Sequence, residues 1–202
     1  YRVGVDDQGR VLGIDFVQMT RAGWSADLTL PVADRAMLHA DNAYWLPDVR
    51  IESHRLRTNM CSATAYRGFG GPQGMLGIER VMDHIAHDLR LDPLAVRKAN
   101  FYRAAATAWT GPGTAKRFGG AHSPQPPADS GPQTTPYGQP VEDFILHEMV
   151  AQLEKTADYA ARKAAVADWN ACNPVLKKGI ALTPVKFGIS FTLTHLNQAG
   201  AL

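Results

Sequence analysis

The chain has 202 residues, of which 45% are hydrophobic and 20% are charged, and its net charge is +2. This length can bury a core without disulfides or metals, and the composition is ordinary for a globular protein. The 21 basic and 19 acidic residues are too balanced to indicate the clustered basic face of a nucleic-acid-binding protein. No apolar run approaches the ~20 residues of a membrane span. We therefore expect neither nucleic acid nor membrane as a partner.

The cysteines and histidines give no metal site. Cys61 and Cys172 are far apart, with no CxxC or Cys/His spacing around either, whereas a structural zinc site needs about four clustered ligands. The seven histidines show no metal spacing either. Two unpaired thiols fit a reducing cytoplasm. The chain starts without methionine inside a strand-like run, so we expect it to be an internal piece of a longer protein.

The first part of the chain predicts a hairpin, a helix and a third strand. Residues 1–5 and 11–19 are rich in β-branched and apolar side chains, and the quartet 6–9 between them ends in glycine, which is typical of a hairpin turn. Residues 31–39 predict a short helix with proline in its first turn. Residues 49–56 predict another strand.

Two further helices complete a first unit, residues 1–103. The clearer one covers residues 72–89, because apolar side chains recur at spacings of three and four on one face: Met75, Ile78, Met82, Ile85 and Leu89. The second begins at Asp92 as N-cap, with Pro93 at the first helical position, and runs towards Phe101.

The rest of the chain divides into two stretches. Residues 104–139 are rich in proline and glycine and poor in large apolar groups, so they cannot offset their ordering entropy by burial and predict a flexible insertion. Residues 140–202 predict a helical pair and then a strand over 180–193. The apolar faces of the two helices are marked by Ile145, Met149 and Leu153 and by Tyr159, Val166 and Trp169. The predicted fold class is α+β, with mixed sheet segments at both ends and helices between.

The segment RGFGGPQ at residues 67–73 directly precedes the clearest helix. Its glycines let the backbone approach a ligand closely, Arg67 offers a permanent planar cation, and Phe69 offers an aromatic face. The segment matches neither GxGxxG nor GxxxxGK[ST]. Two interpretations stay open: a ligand-facing loop, or a tight turn in which glycine only relieves crowding.

Other candidates are ambiguous on their own. Arg35 lies beside Asp34, and composition favours a surface ion pair between them. Phe191 and Thr192 end the last predicted strand, where an aromatic beside a hydroxyl is more often core packing than a site. No Ser/His/Asp or Cys/His arrangement can be nominated.

Four blocks of the sequence closely resemble, in the same order, the molybdopterin-binding subunit of molybdenum hydroxylases of the xanthine dehydrogenase type. They are RAMLHADNAY at 35–44, TNMCSATAYRGFGGPQG at 58–74, PVKFGISFT at 184–192 and LNQAGAL at 196–202. The likeness covers nearly the whole chain except about residues 104–133. It implies that the α+β chain is part of a molybdopterin-binding domain.

The resemblance implies roles for five residues. Arg35 matches the arginine that holds the purine substrate and steadies charge developing on it. Phe69 matches the phenylalanine that stacks flat on the purine, and Phe191 and Thr192 match a second, edge-on aromatic and its hydroxyl neighbour. Arg67 matches a position that contacts the molybdenum–pterin cofactor, largely through its backbone.

The resemblance also implies a reaction. Such enzymes oxidise hypoxanthine and xanthine towards urate at molybdenum–molybdopterin, and electrons leave through [2Fe–2S] clusters and FAD, on a partner subunit or domain, to NAD. The family's catalytic glutamate lies outside this chain, so no catalytic residue and no metal ligand is expected within it. We therefore expect the isolated chain to be inactive without the remainder of its subunit. An aldehyde oxidase-like hydroxylase fragment and a non-catalytic degenerate module are the alternatives.

Overall fold

The computed structural model describes residues 1–103, 133–142, 144–188 and 197. These residues form a three-stranded mixed sheet and five helices, which confirms the α+β class. The elements in chain order are β1 (Arg2–Val5), β2 (Val11–Gly23), α1 (Thr29–Leu38), β3 (Val49–Arg57), α2 (Gly71–Leu89), α3 (Pro93–Asn100), α4 (Leu146–Thr156) and α5 (Tyr159–Cys172). Among the described residues, no helix is both long and apolar enough to cross a membrane.

The predicted hairpin is confirmed, since β1 pairs antiparallel with β2. Its turn is closed by Asp6, whose carboxylate accepts hydrogen bonds from the backbone N–H groups of Gln8 and Arg10 at 3.0 and 2.9 Å. Gly9 has a φ of +77°, a conformation that glycine adopts at no steric cost. The second strand extends to Gly23, four residues beyond the predicted 19.

The third strand pairs parallel with β2, in a sheet ordered β1-β2-β3. A parallel pair needs a crossover connection, and α1 forms it. The predicted helix over 31–39 corresponds to α1, and the predicted strand over 49–56 corresponds to β3. This crossover places α1 beside both β3 and α2.

Helix α2 supplies the centre of the core. Its predicted apolar face is confirmed: Ile78 and Met82 are fully buried, and Met75 and Ile85 are buried as well. On its α1 side, a Cβ added to Gly74 would lie 2.1 Å from the backbone oxygen of Ala36. The two helices are therefore in backbone contact at a position where only glycine fits.

Helix α3 begins at Pro93 with Asp92 as its N-cap, as expected. Asp92 makes no side-chain capping hydrogen bond. Its carboxylate pairs with the ammonium group of Lys163 on α5. The helix ends at Asn100, one residue before Phe101.

The helices α4 and α5 are present where a helical pair was expected, but their apolar faces are not buried. Ile145, Met149 and Leu153 are 60%, 54% and 49% exposed, whereas Val150 on another face is buried. None of the residues of α5 is buried. Helical periodicity identified side chains that share a face, and packing in this chain selected a different face.

The predicted strand over residues 180–193 is not found over residues 180–188, which have no regular secondary structure. The backbone of this segment is hydrogen-bonded by side chains of α1 and of the turn after it rather than by a neighbouring strand. Residues 189–193 lie outside the described residues. Of the predicted insertion, residues 133–139 form a hydrogen-bonded turn, and residues 104–132 also lie outside the described part.

Candidate functional site

The loop before α2 has an uncommon backbone. Gly68, Phe69 and Gly70 have consecutive positive φ angles of 90°, 50° and 98°. The turn is closed by a hydrogen bond from the N–H of Phe69 to the oxygen of Tyr66 at 2.7 Å and by one from Gly71 to Gly68 at 3.0 Å. A positive φ is rare for a phenylalanine and costs energy, so such residues concentrate at functional sites.

The glycines of this loop serve contacts within the protein. A Cβ added to Gly70 would lie 2.0 Å from the backbone oxygen of Val32 on α1, and one added to Gly71 would lie 2.2 Å from the ring of Phe187. The interpretation of a tight, crowded turn therefore holds for these two glycines. The outward side of the loop carries Tyr66, which is 80% exposed, and Arg67, which is exposed.

Arg35 is buried rather than on the surface, at 6% exposure. Its guanidinium group donates a hydrogen bond to the oxygen of Gly188 at 2.7 Å and lies 4.6 Å from the centre of the Phe187 ring. Burial lowers the pKa of Arg35 from its ordinary value, but arginine stays protonated in proteins. Asp34 pairs with Arg55 of β3. The pattern Asp34–Arg35 therefore does not produce the surface ion pair that composition favoured.

His39 lies one helical turn after Arg35 and supports the same group of side chains. Its Nδ1 is 2.9 Å from the backbone oxygen of Arg35, and its ring centre is 5.1 Å from that of Phe187. Burial is the main cause that lowers the pKa of His39. The neutral imidazole is thus favoured beside the buried guanidinium of Arg35.

The segment 184–188 brings Phe187 to this place although it is distant in sequence. Asn42 donates a hydrogen bond to the oxygen of Pro184 at 3.0 Å and accepts one from the N–H of Lys186 at 3.1 Å. The ammonium group of Lys186 lies 3.0 Å from the carboxylate of Asp41. Polar side chains that follow α1 therefore hold this segment against α1 and α2.

Comparison with known proteins identifies the family of this chain. Residues 1–101 match the molybdopterin cofactor-binding domain family. The chain belongs to that family. It is 37% identical over 202 residues to a xanthine dehydrogenase of Oryza sativa subsp. japonica and 36% identical to a xanthine dehydrogenase/oxidase of Gallus gallus. Each match covers 100% of this chain, which spans 13% of the length of each of these relatives.

Solved structures agree on the fold of this molybdopterin cofactor-binding chain. An aldehyde oxidoreductase from Desulfovibrio desulfuricans superposes with a TM-score of 0.60 at 24% identity, over 81% of this chain and 15% of that one. An aldehyde oxidoreductase from Desulfovibrio gigas gives 0.55 at 26% identity, again over 81% and 15%. The chain therefore shares its fold with part of each of these two aldehyde oxidoreductases.

The loop before α2 fits a molybdopterin cofactor. Arg67 is exposed and lies four residues before Gly71, the first residue of α2, at the end where the helix dipole favours an anion. A pterin that carries phosphate is such an anion. The exposed side of the loop is therefore compatible with an anionic cofactor, while its buried side packs on α1 and Phe187.

The structure brings together some of the residues nominated from the sequence. Arg35 and the loop containing Arg67 and Phe69 are linked through Phe187, which contacts both the guanidinium group of Arg35 and Gly71. Phe69 is half-buried. The other two nominated residues, Phe191 and Thr192, lie outside the described residues.

Sequence reasoning missed the residues that hold Arg35 in place. His39 falls at i,i+4 from Arg35, which was an available signal, whereas Asn42 lies beyond the end of α1 at Leu38, where helical spacing no longer applies. Phe187 falls within an alternating apolar run, where an aromatic cannot be distinguished from core packing. Only its contact with Arg35 reveals its position.

Proposed function

We propose that this chain forms one wall of the purine pocket in a molybdenum hydroxylase that oxidises hypoxanthine and xanthine towards urate. The observation that carries this proposal is the buried guanidinium group of Arg35, held by Gly188 and Phe187 in a chain 37% identical to a xanthine dehydrogenase. A fixed cation in a site shielded from water stabilises negative charge that develops on a bound heterocycle. In a purine this negative charge can develop on the oxygens of the ring system. A simple aldehyde has no such ring to carry it.

Each nominated residue has a defined task in this proposal. Arg35 binds and orients the purine, and Phe69 stacks on its face. Phe191 contacts the ring edge, and Thr192 donates or accepts a hydrogen bond beside it. Arg67 contacts the molybdopterin cofactor. When bound, this cofactor supplies the two-electron oxidation, and the residues of this chain position the substrate for it.

The remaining parts of the enzyme lie outside the 202 residues. We infer that the remainder of the same subunit supplies the catalytic glutamate, and that a subunit or domain with [2Fe–2S] clusters and FAD transfers electrons to NAD. Both cysteines, Cys61 and Cys172, are free and exposed, which suits the reducing cytoplasm.

The isolated chain tests this division of tasks. The purified 202-residue chain should not oxidise hypoxanthine when an electron acceptor is added, and metal analysis should find no stoichiometric molybdenum. Turnover by the isolated chain would contradict the division. Stoichiometric molybdenum would show that these residues suffice to hold the cofactor.

A second candidate is an aldehyde oxidase-like hydroxylase, favoured by the structural likeness to two aldehyde oxidoreductases. A chimeric enzyme separates the two. In it, these 202 residues replace the matched segment of the Oryza xanthine dehydrogenase. Arg35→Met should lower kcat/KM for hypoxanthine roughly 10- to 100-fold, the cost of a lost charged hydrogen bond, and should change kcat/KM for an aromatic aldehyde far less.

Arg55→Met is the matched control, because it removes an arginine that pairs with Asp34 at the surface. It should leave both substrates unaffected. Equal losses on purine and aldehyde in Arg35→Met would favour the aldehyde oxidase-like enzyme. An unchanged rate on hypoxanthine would refute the assigned task of Arg35. A chimera that binds the cofactor yet oxidises neither substrate would favour a non-catalytic, degenerate module.

A further inference from the structure

Two buried asparagines of this chain bind extended backbone in the same way. The carboxamide of Asn42 donates to the oxygen of Pro184 and accepts from the N–H of Lys186. The carboxamide of Asn100 donates to the oxygen of Gly9 and accepts from the N–H of Val11. In both cases one amide spans a carbonyl and an N–H that are two residues apart, as a neighbouring strand would.

The two asparagines are also equally inaccessible, at 1% exposure for Asn42 and 4% for Asn100. They differ in what they hold. Asn100 fixes the end of the hairpin turn between β1 and β2. Asn42 fixes the segment 184–188, whose backbone has no strand beside it among the described residues. For that segment the side-chain amide substitutes for a sheet partner.

Asn42 is itself held rigidly. Its second amide proton goes to Glu79 on α2 at 2.9 Å. The carboxylate of Glu79 also accepts hydrogen bonds from the hydroxyl of Tyr44 at 2.5 Å and from Arg97 at 2.8 Å. All three hydrogen-bonding groups of the Asn42 amide are thus satisfied, and the bond to Glu79 anchors the amide to the core.

The segment held by Asn42 carries the groups that contact Arg35. Phe187 follows Lys186 directly, and its ring lies 4.6 Å from the Arg35 guanidinium carbon. The oxygen of the next residue, Gly188, accepts the 2.7 Å hydrogen bond from Arg35. A shift of the backbone at Lys186 therefore displaces both contacts at once.

We propose that Asn42 is a positioning residue that sets the orientation of the Arg35 guanidinium group through the segment 184–188. Its effect on purine turnover rests on the function proposed above for Arg35, whereas its effect on the structure does not. An aspartate has nearly the same shape but cannot donate to Pro184, and its charge would face the carboxylate of Glu79. Asn42→Asp is therefore the sharpest substitution.

The first experiment uses the full 202-residue chain and NMR-detected hydrogen exchange. In Asn42→Asp, exchange of the Lys186 amide should accelerate at least about tenfold, and the side-chain N–H signals of Arg35 should shift and exchange faster. Asn100→Asp is the matched control, because it breaks the same kind of clamp at equal burial. It should accelerate exchange at Val11 and leave Lys186 and Arg35 unchanged.

A second variant keeps the test decisive if Asn42→Asp does not fold. Phe187 is 41% exposed, so Phe187→Ala should fold, free the Arg35 signals and leave the Lys186 amide protected. Equal effects of the two asparagine variants at Lys186 and Arg35 would overturn the proposal, because a general loss of stability would then explain them. Unchanged Arg35 signals in Phe187→Ala would also overturn the proposal.

The second experiment uses the chimeric enzyme and separates this proposal from the proposed function. Asn42→Asp should lower kcat/KM for hypoxanthine by about tenfold, with the aldehyde rate little changed, and Asn100→Asp should not discriminate between the substrates. If Arg35→Met does not lower kcat/KM for hypoxanthine more than for the aldehyde, the proposed function fails, while the exchange result can still stand. If Arg35→Met shows this larger loss on hypoxanthine and Asn42→Asp does not, only the positioning role of Asn42 fails.

Discussion

The regions 1–103 and 144–188 have very different interiors. The first contains a sheet and three helices around buried apolar side chains that include Tyr44, Ile78, Val81, Met82 and Val96, each at 0% exposure. In the second, α4 buries Val150 alone, and α5 buries none of its residues. Both regions are helical and amphipathic by sequence. The first region therefore contains the core, to which the second adds Val150 and a few partly buried apolar side chains.

The contacts that join the two regions are both apolar and polar: Val150 belongs to the core cluster of the first region, and Phe144, Leu146 and Tyr159 pack against that cluster. Lys98 of α3 pairs with Glu154 of α4 at 2.5 Å, and His147 lies 2.8 Å from the backbone oxygen of Tyr102. Exposed ion pairs contribute little to stability. The segment 184–188 packs on α1 and α2 through Asn42 and Phe187. A region without a core can still contribute a residue to the site.

The largest expected effect comes from truncating one apolar side chain in each region. Ile78→Ala removes a fully buried side chain of α2 and should lower the free energy of unfolding by about 2–5 kcal/mol. Met149→Ala removes a side chain of α4 that is 54% exposed and should change it by less than about 0.5 kcal/mol. Urea denaturation of the full chain measures both. Similar losses would show that α4 is as well packed as α2.

A pair of glycine substitutions sharpens the same contrast through overpacking. Gly74→Ala should cost about 1–3 kcal/mol of unfolding free energy, because its Cβ would lie 2.1 Å from the backbone oxygen of Ala36. Gly179→Ala, in the second region, meets nothing within 4 Å and should be neutral. The same denaturation experiment gives both values. A neutral Gly74→Ala would mean that α1 and α2 separate easily.

The smallest expected effect is a pH dependence from His39 in the first region. Its folded-state pKa is lowered, mainly by burial, so the unfolded chain binds the proton more readily. The stability it contributes is present above its unfolded pKa and is lost as the pH falls below about 6.5, by at most about 1.4 kcal/mol per pH unit.

Denaturation of the full chain at pH 7.5 and 5.5 measures this slope. His39→Gln should flatten it, and His54→Gln, which replaces an exposed histidine of β3, should not. If the slope persisted in His39→Gln, another group would have to cause it.

Much of the first region could be predicted from the sequence. Alternation and turn residues indicated the hairpin, and the spacing of Met75, Ile78 and Met82 indicated both α2 and its buried face. These signals are local, so a short window contains them. The blocks of residues that resemble molybdenum hydroxylases indicated the family, which the match over residues 1–101 confirms.

Other features depended on residues far apart in the chain. The sequence placed Arg35 beside Asp34, but the crossover geometry of α1 brought Asp34 to Arg55 and turned Arg35 towards Gly188, 153 residues away. Periodicity showed that Ile145, Met149 and Leu153 share a face, but not whether that face would be covered. Residues 180–188 have a strand pattern, but the amide of Asn42 and the guanidinium group of Arg35 bind their backbone in place of a neighbouring strand.

By itself, then, the sequence determined which residues can share a helix face, where turns form and which cofactor family the chain belongs to, because these depend on local chemistry. Only the tertiary structure decided that Arg35 is a buried cation held by Phe187 and Gly188. That outcome requires contacts among α1, α2 and the segment 184–188. Partners so distant in sequence leave no periodic signal in the segments that they join.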